Sequence, residues 1–407
     1  MTVESRLDAA ARERRSSDVG RRAVMEAGFV ARFGVRPTTW CRAPGRVDLM
    51  GSHTDYNLGP VLTMTIDRDT WVAARPRDDR RVRVTSLDLP GDAEFHLDRI
   101  EHDRVTPWTD YVRGVAAALL GAGYPLVGFD GLVASTIPFG SGLSSSAAID
   151  VAIAVTFEAV SGFRLEPLDL ALLAQRAENQ FVGVQCGILD QYTSVMGSAG
   201  HALLLDCRDL VSRAVAIAPE LAVVVCDTRA ERRLGATGYG ERRAQCEEGV
   251  AILRTFVPAI GSLRDVSPAL LEAHEEALPA IVRRRCRFII EEAARVVELA
   301  AALPVGDRSA IGRLLADSYA GATGLYEIGA PAMSAMIAAM RSAPGFVGGR
   351  QAGAGFGGSM VAIVEREAVA QFARHVDEAY AAATGITTRT FAVEASSGAG
   401  ILEPAAR

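Results

Sequence analysis

The 407-residue chain contains no lysine; all 43 of its basic residues are arginine. A phosphate loop of the form G-x-x-x-x-G-K-[ST] is thereby excluded, because its lysine carries the charge that reaches the outer phosphates. Six cysteines (Cys41, Cys186, Cys207, Cys226, Cys246 and Cys286) are scattered without a C-x-x-C pair. That spacing argues against a thiolate zinc site and a disulfide framework, and it predicts reduced thiols in packed positions. No uncharged run reaches the roughly 18 residues of a membrane span, and the Arg- and Glu-rich stretch from Glu4 to Arg22 has no apolar leader segment. Positive charge is not in excess either, since the formal net charge is −6. Nucleic acid and anionic membranes are therefore poor partners. The expectation is a soluble cytoplasmic protein.

With 49% hydrophobic and 23% charged residues over this length, two domains are expected, spanning 1–205 and 206–407. The chain is organised around Pro138–Ala148, P-F-G-S-G-L-S-S-S-A-A, which closes the apolar run Gly131–Ile137 and opens a long Ala/Val/Ile-rich one. Gly140 and Gly142 let the backbone turn, and Ser144, Ser145 and Ser146 stand at the mouth of a helix whose first amides lack intrahelical partners. Such a helix start favours an anion, and a polyphosphate held by amides, hydroxyls, arginine and a metal is the reading it suggests. A plain Gly/Ser turn before a helix is the alternative.

Helical spacing is read over Ser5–Phe33, Trp108–Leu120, Leu168–Phe181 with Pro167 at its start, Tyr239–Thr255, Arg283–Leu303, Asp307–Ala320 and Ala330–Arg341. Strands are read at Trp40–Ala43, Val61–Ala74, Arg81–Leu87, Gly131–Ile137, His201–Leu205, Leu221–Cys226, Met360–Val364 and Thr390–Glu394. After the first strand, Arg46, Asp48, Ser52, His53, Asp55 and Asn57 crowd between Gly45, Gly51 and Gly59. This stretch reads either as a solvated loop or as a grip on a sugar or an acid. A second glycine-rich loop, Q-A-G-A-G-F-G-G-S, spans Gln351–Ser359, and the residues after Leu402 read as a frayed tail.

Three motifs stand in order: G-R-V-D-L-M-G-S-H-T-D-Y-N near the start, P-F-G-S-G-L-S-S-S-A-A in the first half and G-A-G-F-G-G near the end. Together with W-T-D-Y-V-R-G-V, C-G-I-L-D-Q, Y-G-E-R-R-A-Q-C-E-E and G-L-Y-E-I, they resemble the galactokinase branch of the superfamily that includes homoserine, mevalonate and phosphomevalonate kinases. The resemblance implies a mixed α/β (α+β) fold of two domains, the first like a ribosomal S5 second domain and the second ferredoxin-like, with the active site between them. It implies transfer of the γ-phosphoryl group of Mg-ATP to the anomeric hydroxyl of a sugar. By position, Asp190 matches the catalytic aspartate and Arg46 the neighbouring arginine. Gly140, Ser141, Gly142, Leu143, Ser144, Ser145 and Ser146 match the residues around the ATP phosphates, and Ser146 and Glu178 the Mg2+ ligands. On the sugar side the matches are His53, Asp55 and Tyr239, with Gly353, Gly355, Gly357 and Gly358 forming the second loop. The expected partners are the sugar and Mg-ATP, and the expected state is a monomer or weak homo-oligomer.

The chain departs from the family at Ser52, where galactokinases carry a sugar-binding glutamate on the hydroxymethyl side. Galactose then stands beside C6-modified relatives such as galacturonate, L-arabinose and fucose, unless the Ser52 hydroxyl serves the ordinary 6-hydroxyl itself. Asp48 replaces a usual asparagine and reads as a cap of the local turn. A non-catalytic sugar and ATP sensor is the rival of another class, and it is disfavoured by the presence of Asp190, Arg46 and S-S-S-A-A.

Overall fold

The computed structural model describes residues 18–230 and 235–403. Its strands are β1 (Thr39–Met50), β2 (Pro60–Pro76), β3 (Arg81–Ser86), β4 (Asp92–His96), β5 (Phe129–Ser135), β6 (His201–Asp206), β7 (Val211–Ala216), β8 (Leu221–Asp227), β9 (Phe346–Gln351), β10 (Ser359–Glu365), β11 (Arg389–Val393) and β12 (Gly400–Ile401). The first helices are α1 (Asp18–Phe33), α2 (Thr109–Gly121), α3 (Ser145–Ser161), α4 (Pro167–Ala177) and α5 (Leu189–Met196). The rest are α6 (Gly235–Arg254), α7 (Pro268–His274), α8 (Ala280–Ala302), α9 (Arg308–Gly324), α10 (Pro331–Arg341) and α11 (Val369–Thr384). Among the described residues no helix is long and apolar enough to cross a membrane.

The first sheet runs β12-β1-β2-β5-β3-β4, with β6 added to β2 and β7 to β6. Its long strand β2 pairs with β6 over Pro60–Thr63 and with β5 over Thr70–Pro76. The polar Asp67–Arg68–Asp69 sits where one partner gives way to the other. The second sheet, β11-β8-β10-β9, is antiparallel throughout. In β8 the side chains alternate: Val223 and Val225 join a core shared with Val47 and Leu49 of β1, while Val224 and Cys226 face Met336 and Phe372 on α10 and α11. The two sheets therefore meet over one apolar layer that also takes Val296 and Leu299 of α8.

Helix α3 is rich in Ala, Val and Ile and is buried from Ala147 to Glu158 except at Ile149, as a largely hydrophobic helix must be. Its N-terminus is thereby fixed just beyond the end of β5, where the Gly140–Ser144 loop emerges. All six cysteines are free thiols, and all but Cys186 are buried.

Several expectations shift. Strand β1 does not stop at Ala43 but continues to Met50 through register shifts at Pro44/Arg46 and Asp48/Met50. Bulges re-aim side chains without ending the pairing, so Arg46 and Asp48 are strand residues and the loop begins at Gly51. The helix read over Leu168–Phe181 is α-helical to Ala177, and Glu178–Val182 form a wider π turn. Gly183, at φ +87°, closes that turn by donating its amide to the Glu178 carbonyl at 2.9 Å. Of the first helix, Asp18–Phe33 is seen and the stretch from Ser5 to Ser17 lies outside the described residues. Leu402 is still tied to Trp40 by a 2.8 Å amide bond, and residues 404–407 lie outside the described set.

Candidate active site

Between the end of β5 and α3, positive φ recurs at alternate residues: Gly140 (+71°), Gly142 (+83°) and Ser144 (+60°). Alternation of ordinary and left-handed residues turns successive amides toward one side and makes an anion-binding concavity, here backed by the start of α3. The hydroxyls divide their work. Ser141 donates to the Pro138 carbonyl at 2.6 Å, and the Leu143 side chain is buried in the core, so these two hold the loop rather than border the cavity. Ser144 donates to Asp190 Oδ2 at 2.6 Å, and the Ser146 hydroxyl bonds the Glu178 carboxylate.

Asp190 sits in the first turn of α5 and meets Arg46 from β1, whose Nε donates to Oδ1 at 2.8 Å. Arg46 Nη1 donates to the Gly142 carbonyl at 2.8 Å, so one guanidinium ties the aspartate to the Gly140–Ser144 loop. Burial opposes the charge on Arg46, but Asp190, Asp48 and Asp55 outweigh it and hold its pKa above the usual arginine value. Beside this pair the Glu178 carboxyl is buried, bonded by the Gln191 amide at 2.6 Å, and raised by burial and by Asp190.

The opposite wall is the loop Gly51–Gly59. Ser52 donates to the Gly353 carbonyl at 3.0 Å, and its alternative contact, Asp48 Oδ2, is longer at 3.5 Å. The Ser52 hydrogen is thus engaged within the protein. His53, in the left-handed region at φ +70°, is buried with both ring nitrogens bonded, to the Ala354 carbonyl at 2.8 Å and to the Tyr56 hydroxyl at 2.9 Å. Because a carbonyl can only accept, Nε2 carries the hydrogen and Nδ1 receives one from Tyr56. Tyr56 continues to the Tyr326 hydroxyl at 2.7 Å, which bonds Cys246 at 3.2 Å. Burial lowers His53 to about 4, consistent with a neutral ring used for architecture.

Asp55 is half-buried and is raised by burial to about 7. Its Oδ2 lies where a Cβ on Gly187 would be, 1.7 Å from that position, so the glycine of C-G-I-L-D-Q makes room for this carboxyl. Tyr239 of α6 packs its ring 5.2 Å from His53 and 5.3 Å from Tyr56. The second glycine loop closes the seam: Gly355, Phe356, Gly357 and Gly358 all have positive φ. Its flanks pair with the first loop through Ser359 N to Ser141 O at 2.9 Å and with β1 through Asp48 N to Ala352 O at 3.2 Å.

The result is one cavity of about 710 Å³, bordered by Arg46, Ser52, His53, Asp55, Gly140, Gly142, Ser144, Ser145, Ser146, Glu178, Asp190, Tyr239, Gly353 and Gly355. Asp48, read from the sequence as a turn cap but placed by the structure on strand β1, and Arg243, to which the sequence gave no role, also border it. Nor did it find the buried Arg350–Glu292 pair, 3.1 Å apart, whose glutamate also accepts the Gly51 amide at 3.3 Å.

An amide nest at a helix start, bonded through Ser144 and Gly142 to an aspartate–arginine pair on the wall of the same cavity, is the arrangement of a small-molecule kinase of the GHMP class. Family models agree: "GHMP kinases N terminal domain" matches residues 110–198, and "GHMP kinases C terminal" matches 299–382. A mevalonate kinase structure shares the fold at a TM-score of 0.60 and 15% identity. Within the class, the "Galactokinase galactose-binding signature" matches residues 27–76. A galactokinase of Roseiflexus sp. (strain RS-1) is 47% identical over 91% of this chain and 95% of the relative, and one of Chloroflexus aggregans is 44% identical over the same shares. The crystal structure of Lactococcus lactis galactokinase complexed with galactose superposes with a TM-score of 0.89 at 31% identity, covering 93% of this chain and 99% of that one. The chain belongs to the galactokinase family.

Proposed function

We propose that this protein transfers the γ-phosphoryl group of ATP to the anomeric hydroxyl of galactose, or of a galacto-configured sugar, giving ADP and the sugar 1-phosphate. The observation that carries this reading is the Asp190 carboxylate, bound to Arg46 and Ser144 at the junction of the phosphate loop with the HTDYN loop. In this reading Asp190 accepts or orients the anomeric proton, and Arg46, already linked to Gly142, stabilises the charge that moves between nucleotide and sugar. The alternating loop Gly140–Ser146 supplies amides to the phosphates. Asp55 and Tyr239 face the sugar, while His53 and Ser52 hold the sugar loop against Gly353 and Ala354.

Mg2+ is implied by the class. Among the described residues no group of three or more His, Cys, Asp or Glu side chains is gathered for a metal. A buried carboxyl and a hydroxyl at the phosphate nest nevertheless fit an ion that takes few protein oxygens and completes its shell with phosphates. Ser146 and Glu178 are the residues that would hold it, and when bound it would neutralise phosphate charge. The same reading includes two functional units meeting at the cavity, a cytoplasmic location, and a monomer or weak homo-oligomer.

The deciding test is sugar-dependent ADP release across galactose, galacturonate, L-arabinose, fucose and glucose, with the product identified as the 1-phosphate. Galactose is expected to give the highest kcat/KM. Sugar binding without ADP release would overturn the kinase reading in favour of a sensor.

A further inference from the structure

Asp48 stands in the cavity wall with one carboxyl oxygen left without a hydrogen bond. It is 3% exposed, yet its Oδ1 accepts no hydrogen bond. Arg46 Nε stands 3.3 Å away, but the single hydrogen on that nitrogen is donated to Asp190. On the other side, the Ser52 hydroxyl reaches Oδ2 at 3.5 Å, while its shorter contact is to the Gly353 carbonyl. One hydroxyl hydrogen cannot serve both acceptors. Arg46 and Arg350 favour the charged form of Asp48 without hydrogen-bonding it, but they do not outweigh its burial, which together with Asp190 holds its pKa above the usual carboxylate value. Buried acceptors are nearly always paired, so one left open on the wall of a ligand cavity points to a donor that arrives with the ligand.

We propose that Asp48 is a specificity-determining residue that accepts a hydrogen bond from one hydroxyl of the sugar. The proposal rests on the sugar-kinase reading and deepens it. A sugar hydroxyl supplies the missing hydrogen, and the geometry of β1 makes the placement firm: the Asp48 amide is fixed to the Ala352 carbonyl, so the side chain projects from a paired strand rather than a loop. Because Ser52 and Asp48 approach to 3.5 Å, a carboxylate carried at either position serves the same corner of the cavity.

The test pairs the wild type and Asp48→Asn with galactose and its 2-, 3-, 4- and 6-deoxy analogues, measuring binding by calorimetry and turnover by ADP release. Replacing a charged acceptor by a neutral one is expected to weaken galactose binding about tenfold. The analogue lacking the recognised hydroxyl is expected to be insensitive to the substitution, while the others lose as much as galactose. The double variant Asp48→Asn/Ser52→Glu is expected to recover affinity and restore the discrimination. Equal losses for galactose and all analogues, or no loss for any, would overturn the proposal and leave Asp48 as a support for Arg46. If Asp48→Asn does not fold, the wild type decides with the double variant: a wild type indifferent to every deoxy position sinks the idea. Sugar binding without turnover in the wild type would overturn the kinase reading, and the binding data would still judge Asp48.

Discussion

Gly187→Ala separates the sugar-holding geometry from the stability of the fold. The new methyl would lie 1.7 Å from Asp55 Oδ2 and 2.7 Å from its Cγ. Reaching an ordinary contact of about 3.5 Å requires the carboxylate to retreat by about 2 Å. Gly187 does not occupy the left-handed region, so alanine meets no backbone strain there. The stability of the variant should therefore stay within about 1 kcal/mol of wild type. Displacing a substrate-positioning group by 1 Å can cost about a hundredfold, so kcat/KM for galactose should fall by that factor or more, about 2.7 kcal/mol. Steady-state kinetics beside a denaturant titration read both quantities. A variant with unchanged stability and kcat/KM within threefold of wild type would refute the argument that Asp55 is held in place for the sugar.

Two buried groups give opposite pH slopes. His53, lowered by burial from 6.5 to about 4, stays neutral in the fold while the unfolded ring binds a proton, so acidification from 6.5 to 4 removes about 3 kcal/mol of stability. Asp55, raised by burial from 3.8 to about 7, keeps a proton that the unfolded chain has released, so stability falls as pH rises from 4 to 7. Relative to wild type, His53→Gln should lose less stability on acidification and Asp55→Asn more, as measured by urea unfolding at pH 5, 6 and 7.5. Arg350→Met removes one of the two arginines on the wholly buried Glu292, which keeps Arg295 at 2.9 Å and the Ser318 hydroxyl at 2.7 Å, so the loss by denaturant unfolding should stay below the about 3–5 kcal/mol of a stranded buried charge. Glu178→Gln should raise the Mg2+ concentration for half-maximal rate roughly tenfold or more, with little change in sugar affinity, as read by Mg2+ titration of ADP release.

The turn into α3 was legible because its information is local: Gly140 and Gly142 before three serines and an apolar run specify a turn and a helix start on their own. Asp190 was found through resemblance rather than periodicity, since α5 has eight residues and is too short to show an amphipathic pattern. The continuation of β1 was hidden by Pro44 and Gly45, which read as a break, whereas the strand passes through them by bulging. Strand β9, F-V-G-G-R-Q, looks like a loop. Its glycines are small because Leu315 and Met340 press on them, with a Cβ at Gly348 or Gly349 falling 2.9 and 2.4 Å from those side chains. The partners of Arg350 and His53 are long-range, Glu292 from 58 residues away and Ala354 from 301, and no local pattern announces them. Ser52 was legible as a departure from the family, but its bond to Gly353 and its approach to Asp48 are properties of packing.

In the proposed reaction Asp190 handles the anomeric proton while Arg46 and the Gly140–Ser146 loop hold the transferring group. Single-turnover phosphorylation of galactose by Asp190→Asn, with ATP and sugar binding measured on the same protein, tests it most directly. The expected result is a loss of about 10²–10⁴ in rate with both ligands still bound to within a few-fold. A rate within tenfold of wild type, with binding intact, would contradict the account.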